Sequence, residues 1–305
     1  MKKLYVFSLL LLLCFIMPIK SHACWCFGGE ISWKQTGQDS FMVKCVLYRN
    51  CNAVNAPNSL SVTVRNGSTG TVLLTEAFAR ESYMDITPVC STSCTRCSNS
   101  SCSFMYGISK YIYRGLIVTS NVGNCCDLVV SFGAYFRHCA NTNYISSRPL
   151  FLKAEINRCL ANFDSSPQFQ NDPVSFAEIS KGFIYNPMVI DRDTGPNGQP
   201  LDSVVVRLEK PLIGSNSFLT YNGNFSYDKP LSFWGFPNKN KNYPKGFHQN
   251  EQNGDLMFTP YGAEQTFICI EAREYRNGQF IGSSRRDFFF QVLNLTRFQL
   301  LLLHL

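Results

Sequence analysis

Twelve cysteines lie between residues 24 and 159, and only Cys269 follows them. In a reducing compartment such density points to metal or redox chemistry; in an oxidising one it points to disulfides. The first 23 residues bear on which applies. Lys2 and Lys3 form a positive n-region. Leu4 to Ile19 is almost wholly apolar, with leucine at every position from Leu9 to Leu13. Ser21-His22-Ala23 then offers small residues three and one places before a cut. That is the anatomy of a secretory signal peptide. The apolar run is short for a membrane span, which needs about 20 residues. A lipoprotein cut ahead of Cys24 is the alternative, although it would put Ser21 where such signals usually carry Leu. The chain is expected to be secreted or on the outer cell surface, with no transmembrane helix in the mature part.

In that setting the disulfide candidates are Cys24, Cys26, Cys51, Cys90, Cys94, Cys97, Cys102, Cys125, Cys126, Cys139 and Cys159. The odd total beyond Cys14 leaves at least one thiol unpaired or paired between chains. Cys45 is the candidate, because it alternates with Phe41, Val43 and Leu47 on one strand face and would behave as a small apolar residue. Zinc is the competing reading for Cys90, Cys94, Cys97 and Cys102. A zinc site usually spaces two Cys pairs by a longer loop, and here the four crowd into one Ser-rich stretch.

Aromatic residues are abundant, with 25 Phe and 14 Tyr, and charged residues make up 16%. Such a composition fits pleated, half-buried surfaces. Strands are expected at Ile31–Trp33 and Phe41–Tyr48, paired across Thr36-Gly37-Gln38-Asp39, and at Leu60–Arg65 and Thr71–Leu74 around Asn66-Gly67. Lys110–Leu116, Leu128–Tyr135 and Phe151–Ile156 follow. Past a linker-like Asp164-Ser165-Ser166-Pro167 come Ser203–Leu208, Leu256–Thr259, Gln265–Tyr275 and Asp287–Leu293, with turns at Asn222-Gly223, Asn253-Gly254 and Asn277-Gly278. No stretch carries a 3.6-residue apolar period, so helix should stay below about 10%. The expected fold class is all-β: a signal peptide over 1–23, a Cys-rich β domain over 24–161, an immunoglobulin- or cadherin-like β-sandwich over 162–294 and an atypical tail over 295–305. The formal charge is +7, but no basic block survives past the signal, which argues against nucleic acid as a partner.

Several segments, taken in order, carry a resemblance. Gly28-Gly29-Glu30-Ile31-Ser32-Trp33 and Val46-Leu47-Tyr48-Arg49-Asn50-Cys51 come first, then Asp85-Ile86-Thr87-Pro88 with Cys90, and Arg137 with Asn141-Thr142-Asn143. Ser166-Pro167 with Phe169 and Pro173, Tyr185-Asn186-Pro187, Asp191 with Asp193, and Asp202 to Leu212 follow. Gly254 with Phe258 and Pro260, Glu274-Tyr275-Arg276 and Arg286-Asp287 complete the series. The chain thereby resembles the N-terminal region of large secreted surface proteins of Bacteroidota, of the kind that carry PKD repeats and a type IX sorting or gliding-motility-associated C-terminal domain. The resemblance implies adhesion or cell-surface work rather than catalysis. Two departures stand out. Thr194-Gly-Pro-Asn-Gly-Gln-Pro-Leu201 replaces a compact D-G-D, and the chain runs after Val292 into Asn294–Leu305 instead of further repeats, as a fragment, a frameshifted product or a short paralogue would.

Asp191, Asp193 and Asp202 are the candidate metal site, for a structural calcium, since calcium takes six to eight oxygens and a D-x-D pair puts two carboxylates on one side. Asn197 would add an amide oxygen. Ordinary turn chemistry of Asp and Asn is the rival. Catalytic residues are not expected. His138, His248 and His304 stand apart from any nucleophile signature, and Glu271 and Glu274 alternate to opposite strand faces. No facing acid pair of a glycosidase can be named. Trp33 is expected in the core, whereas Trp234, with Phe233 and Phe236, and Trp25 are open to sugar stacking. The expected partner is an extracellular polymer, surface or protein, met through the loops Cys90–Ser103 and Gly235–Gly246. A carbohydrate-active protein and a plain structural spacer are the alternatives.

Overall fold

Two-residue turns set much of the strand pairing. The computed structural model describes residues 25–90, 93–102, 104, 106–120, 122–123, 125–138, 143–145, 148–161, 163–235 and 246–294. The signal segment, Cys24, Cys139, Asn141, Thr142, Phe236, His304, the interior of the Gly235–Gly246 loop and the tail lie outside them. Strands β1 (Cys26–Gly37) and β2 (Ser40–Asn50) form a hairpin across Gln38-Asp39, with Ile31 opposite Cys45 and Trp33 opposite Val43. Strands β3 (Ser59–Asn66) and β4 (Val72–Asp85) join through a turn in which Asn66 Oδ1 accepts from the amides of Ser68 and Thr69.

Strands β5 (Ile108–Val118), β6 (Asp127–Phe136) and β7 (Pro149–Asn157) complete the first half. The second half begins with short strands: β8 (Gln168–Phe169), β9 (Phe176–Glu178), β10 (Phe183–Tyr185), β11 (Val189–Ile190), β12 (Ser203–Leu208), β13 (Leu212–Gly214), β14 (Ser217–Phe218), β15 (His248–Gln249) and β16 (Leu256–Phe258). It ends in the long hairpin β17 (Gln265–Arg276) and β18 (Gln279–Leu293), turned by Asn277 at φ 52° and Gly278 at φ 77°. Two consecutive positive φ values are the mark of a type I′ turn, whose twist matches paired strands. Among the described residues there is no helix, and the fold is all-β.

The main sheet runs in the order β12-β17-β18-β1-β2-β5-β4-β3-β6-β7-β13-β14. It crosses residue 162: β18 pairs with β1 over Gly28–Ile31 and meets β7 at Ile156. Gly28, at φ +126°, makes this pairing possible, because a Cβ there would fall 1.9 Å from the Asp287 carbonyl oxygen. One apolar cluster draws only on residues up to Ile156 and contains Trp33, Phe41 and Tyr113. A second draws only on residues from Phe169 onward and contains Phe183, Phe258 and Phe290. A third mixes the halves, stacking Phe27 on Phe289 with centroids 4.6 Å apart. The expected linker at Asp164–Ser166 is buried instead of solvated. The Ser166 hydroxyl accepts from the Trp33 amide at 2.9 Å, and the Gln35 amide donates to the Asp164 carbonyl at 2.8 Å.

Three disulfides form among the described residues: Cys51–Cys97, Cys94–Cys102 and Cys126–Cys159. The close pair Cys94 and Cys97 is split between two bridges, which removes the zinc grouping. Two candidates need correction. Cys26 is a buried thiol whose Sγ donates to the Gly28 carbonyl, because the start of β1 carries it into the first apolar cluster. Cys125 is a thiol that donates to the Asp127 carbonyl. Neighbouring residues in extended chain point opposite ways, so only Cys126 of that pair faces Cys159. Cys90 takes part in none of the three bridges. Cys45 is a buried thiol as expected, and so is Cys269.

Candidate functional site

Two places in the fold gather chemistry. The first is acidic. β11 delivers Asp191 and Asp193, and the Asp193 amide donates to Asp191 Oδ1 at 2.9 Å, the Asx turn expected of such a pair. Asp202 sits one residue before the Ser203–Tyr275 pair that opens β12, which sets it beside Arg276. Arg276 grips it with two bonds, Nε to Oδ1 at 2.7 Å and Nη2 to Oδ2 at 2.6 Å. The same Nη2 reaches Asp164 Oδ1 at 2.9 Å. Asp193 Oδ2 accepts from the Ser165 amide at 2.6 Å. One oxygen from each of Asp164, Asp193 and Asp202 lies within 4.8 Å of the others.

Glu274 belongs to the same pocket. Strand alternation puts it on the face of β17 that carries Arg276. Its side chain is fully buried and neither carboxylate oxygen has a hydrogen-bond partner. Gly282, its partner across the hairpin, leaves the room for it: a Cβ there would fall 2.2 Å from Glu274 Oε1 and 2.7 Å from Trp33 Cζ2. Burial, and then repulsion from Asp164, Asp191, Asp202 and Asp193, pushes the Glu274 carboxyl up to about 11. Burial together with the neighbouring aspartates, opposed by Arg276, brings Asp164 to about 7. Burial chiefly lifts Asp191 to about 6, and it raises Asp193 as well. The structure therefore brings together all three expected metal-site aspartates and adds Asp164 and Glu274. Asn197 is exposed in the turn closed by the Gly195 amide and the Gln199 carbonyl. An all-oxygen pocket of this charge suits a hard cation.

The second place is an open groove of about 640 Å³ between the Cys-rich loop and strands β4 and β5. Its floor is Tyr111, on which the exposed ring of Tyr83 stacks with centroids 5.6 Å apart and planes inclined by 18°. The Arg80 guanidinium lies 5.6 Å from the Tyr111 ring centre. Asn55, Asn58, Ser98 and Asp85 line the walls, and the Cys51–Cys97 bridge fixes the wall that carries Ser98. Of the expected loop sites, Cys90–Ser103 thus contributes to a groove. At the edge of the other, Trp234 is 58% exposed and packs against Tyr261 with centroids 5.3 Å apart. Trp33 is buried with its indole N–H donating to the Glu155 carbonyl at 3.0 Å, and Trp25 is buried against Tyr135. His138 packs edge-on against Phe27 and Phe289, and His248 lies in β15.

No family model, curated protein or solved structure matches the chain.

Sequence reasoning missed the groove, because Tyr83 and Arg80 sit on the mostly exposed β4, where no alternation marks a strand. It also missed Glu274, whose only signal is its i, i+2 relation to Arg276.

Proposed function

We propose that this chain is an exported, non-enzymatic surface-interaction module that binds an extracellular carbohydrate polymer in the groove between the Cys-rich loop and β4–β5. The observation that carries the reading is the open Tyr83 ring stacked on Tyr111 beside Arg80, Asn55 and Asn58. A flat aromatic face receives the apolar side of a sugar ring, while amides and a guanidinium take its hydroxyl and carboxylate oxygens. Export is supported by the signal-like N-terminus and by three disulfides, which persist in oxidising compartments. The scaffold is read as two packed β-sandwich units of immunoglobulin or cadherin type, supported by the separate apolar clusters on either side of residue 162. Descent from the large Bacteroidota surface proteins rests on the ordered motifs alone.

A glycan array run beside a hydrolysis screen tests the function. The expected result is binding without turnover, lost in Tyr83→Ala. Turnover of a bound glycan would favour the carbohydrate-active enzyme, and absence of any binding would favour the spacer.

A further inference from the structure

We propose that Asp164, Asp191, Asp193, Asp202 and Glu274 hold a calcium ion, which ties the segment after residue 161 to the β12–β17 edge of the sheet. The inference stands apart from the groove and does not depend on what the groove binds.

Five carboxylates from four separate stretches of chain gather around one guanidinium, and Arg276 bonds only Asp202, with two contacts, and Asp164, with one. Asp164 Oδ2, Asp191 Oδ2 and both oxygens of Glu274 are buried with no hydrogen-bond partner. Asp164 is 1% exposed and Glu274 is 0% exposed. A buried, unpartnered carboxylate is costly, and a second one beside it multiplies the cost, unless a proton or a cation neutralises them. Turn chemistry accounts for Asp191 Oδ1, and the remote Ser165 amide for Asp193 Oδ2, but these buried oxygens are left without a role.

Geometry then selects the ion. Oxygens of Asp164, Asp193 and Asp202 lie within 4.8 Å of one another, about twice a calcium–oxygen bond, so one ion can touch all three. The donors are carboxylates only, with no His or Cys among them, which disfavours zinc and the softer transition metals. Their irregular arrangement, from a linker, two loop segments and one strand, tolerates calcium more readily than magnesium, which demands an octahedron and keeps its waters. Gly282 is the sheet position that makes space for Glu274, and Trp33 borders the same space.

Trp33 supplies the probe. Terbium, which replaces calcium at oxygen sites, should emit when the mature chain is excited in its tryptophan band. Calcium should quench that emission by competition and should raise the melting temperature. Asp193→Asn and Glu274→Gln should each weaken calcium binding by about tenfold or more, since ligand charge sets the affinity of such sites. Both should keep the far-ultraviolet spectrum, and without metal both should be at least as stable as the parent, because Asp193→Asn removes one like charge and Gln replaces a Glu274 carboxyl that burial already keeps protonated. The proposal is overturned by absence of terbium emission, by magnesium competing better than calcium, or by emission that persists unchanged in Asp193→Asn. Any of these would make Arg276 the only counter-charge the pocket has.

Discussion

At the residue scale, a set of charged and polar side chains is buried together: Glu30, Tyr48, Arg137, Arg286 and Asp287. Glu30, from the opening Gly-Gly-Glu, accepts from Arg286 Nε at 2.9 Å and Nη2 at 2.5 Å, from Lys44 at 3.1 Å and from the Tyr48 hydroxyl at 3.0 Å. Arg286 also reaches the Tyr185 hydroxyl at 2.6 Å. Beside it, Asp287 pairs with the buried Arg137. These residues hold the centre of the sheet, and the chemistry of a ligand need not enter. Burial alone would raise the Glu30 carboxyl, but Arg286 and Lys44 outweigh it and hold the group down at about 2. A carboxyl lowered from 4.5 to about 2 contributes roughly 3 kcal/mol, present above pH 4.5 and lost as the pH falls toward 2. Glu30→Gln should therefore destabilise the protein by about 3–5 kcal/mol at pH 7, with Arg286 left uncompensated. The difference from the parent should shrink by pH 3. Urea titrations at the two pH values check both statements, and an equal penalty at each would refute the pairing. In the sequence, Asp191 and Asp193 are legible as a pair from their spacing. Glu30, Arg137 and Arg286 look like surface charges, because each partner is remote in the chain.

At the element scale, hairpins with local turns were the legible part. Asn66-Gly67 and Asn277-Gly278 announce their turns, and β1 with β2 alternates plainly enough to read. The sequence pattern marks only Thr71–Leu74 of β4, which runs from Val72 to Asp85, because most of its side chains are exposed. The first half of β18 was missed for the opposite reason: Ser283, Ser284, Arg285 and Arg286 are polar yet buried. The disulfides were legible as a class, and their connectivity was not, since pairing depends on which face each Cys takes. The Cys51–Cys97 bridge closes a separation of 46 residues and holds the groove wall. Replacing both cysteines by Ser should cost about 4 kcal/mol through the freed unfolded chain. It should also weaken the glycan binding proposed for the groove, whereas the corresponding change at Cys126 and Cys159 should cost similar stability and spare binding. Denaturation curves and binding isotherms for the two double variants separate these effects.

At the scale of the whole molecule, composition shows the change of character near residue 162, but not the sheet that runs through it. Gly28 pairs with Phe288 across nearly the full length of the chain, and no local pattern encodes contacts so remote. Because β1 lies between β2 and β18, and the third apolar cluster mixes both halves, the described residues should unfold in one cooperative transition. A fragment ending at residue 161 should lack that transition, and calorimetry showing two separable transitions would contradict the shared sheet. The same sheet presents β4 and β5 with the Cys-rich loop over them, so the groove rests on a stiff support. The decisive measurement is the affinity of the mature chain and of Tyr83→Ala for the strongest glycan found on the array, with product release followed in the same samples. Saturable binding by the parent, a loss of about tenfold or more in Tyr83→Ala, and no product from either are expected. Equal affinity in the two proteins, or released product, would contradict the proposed function.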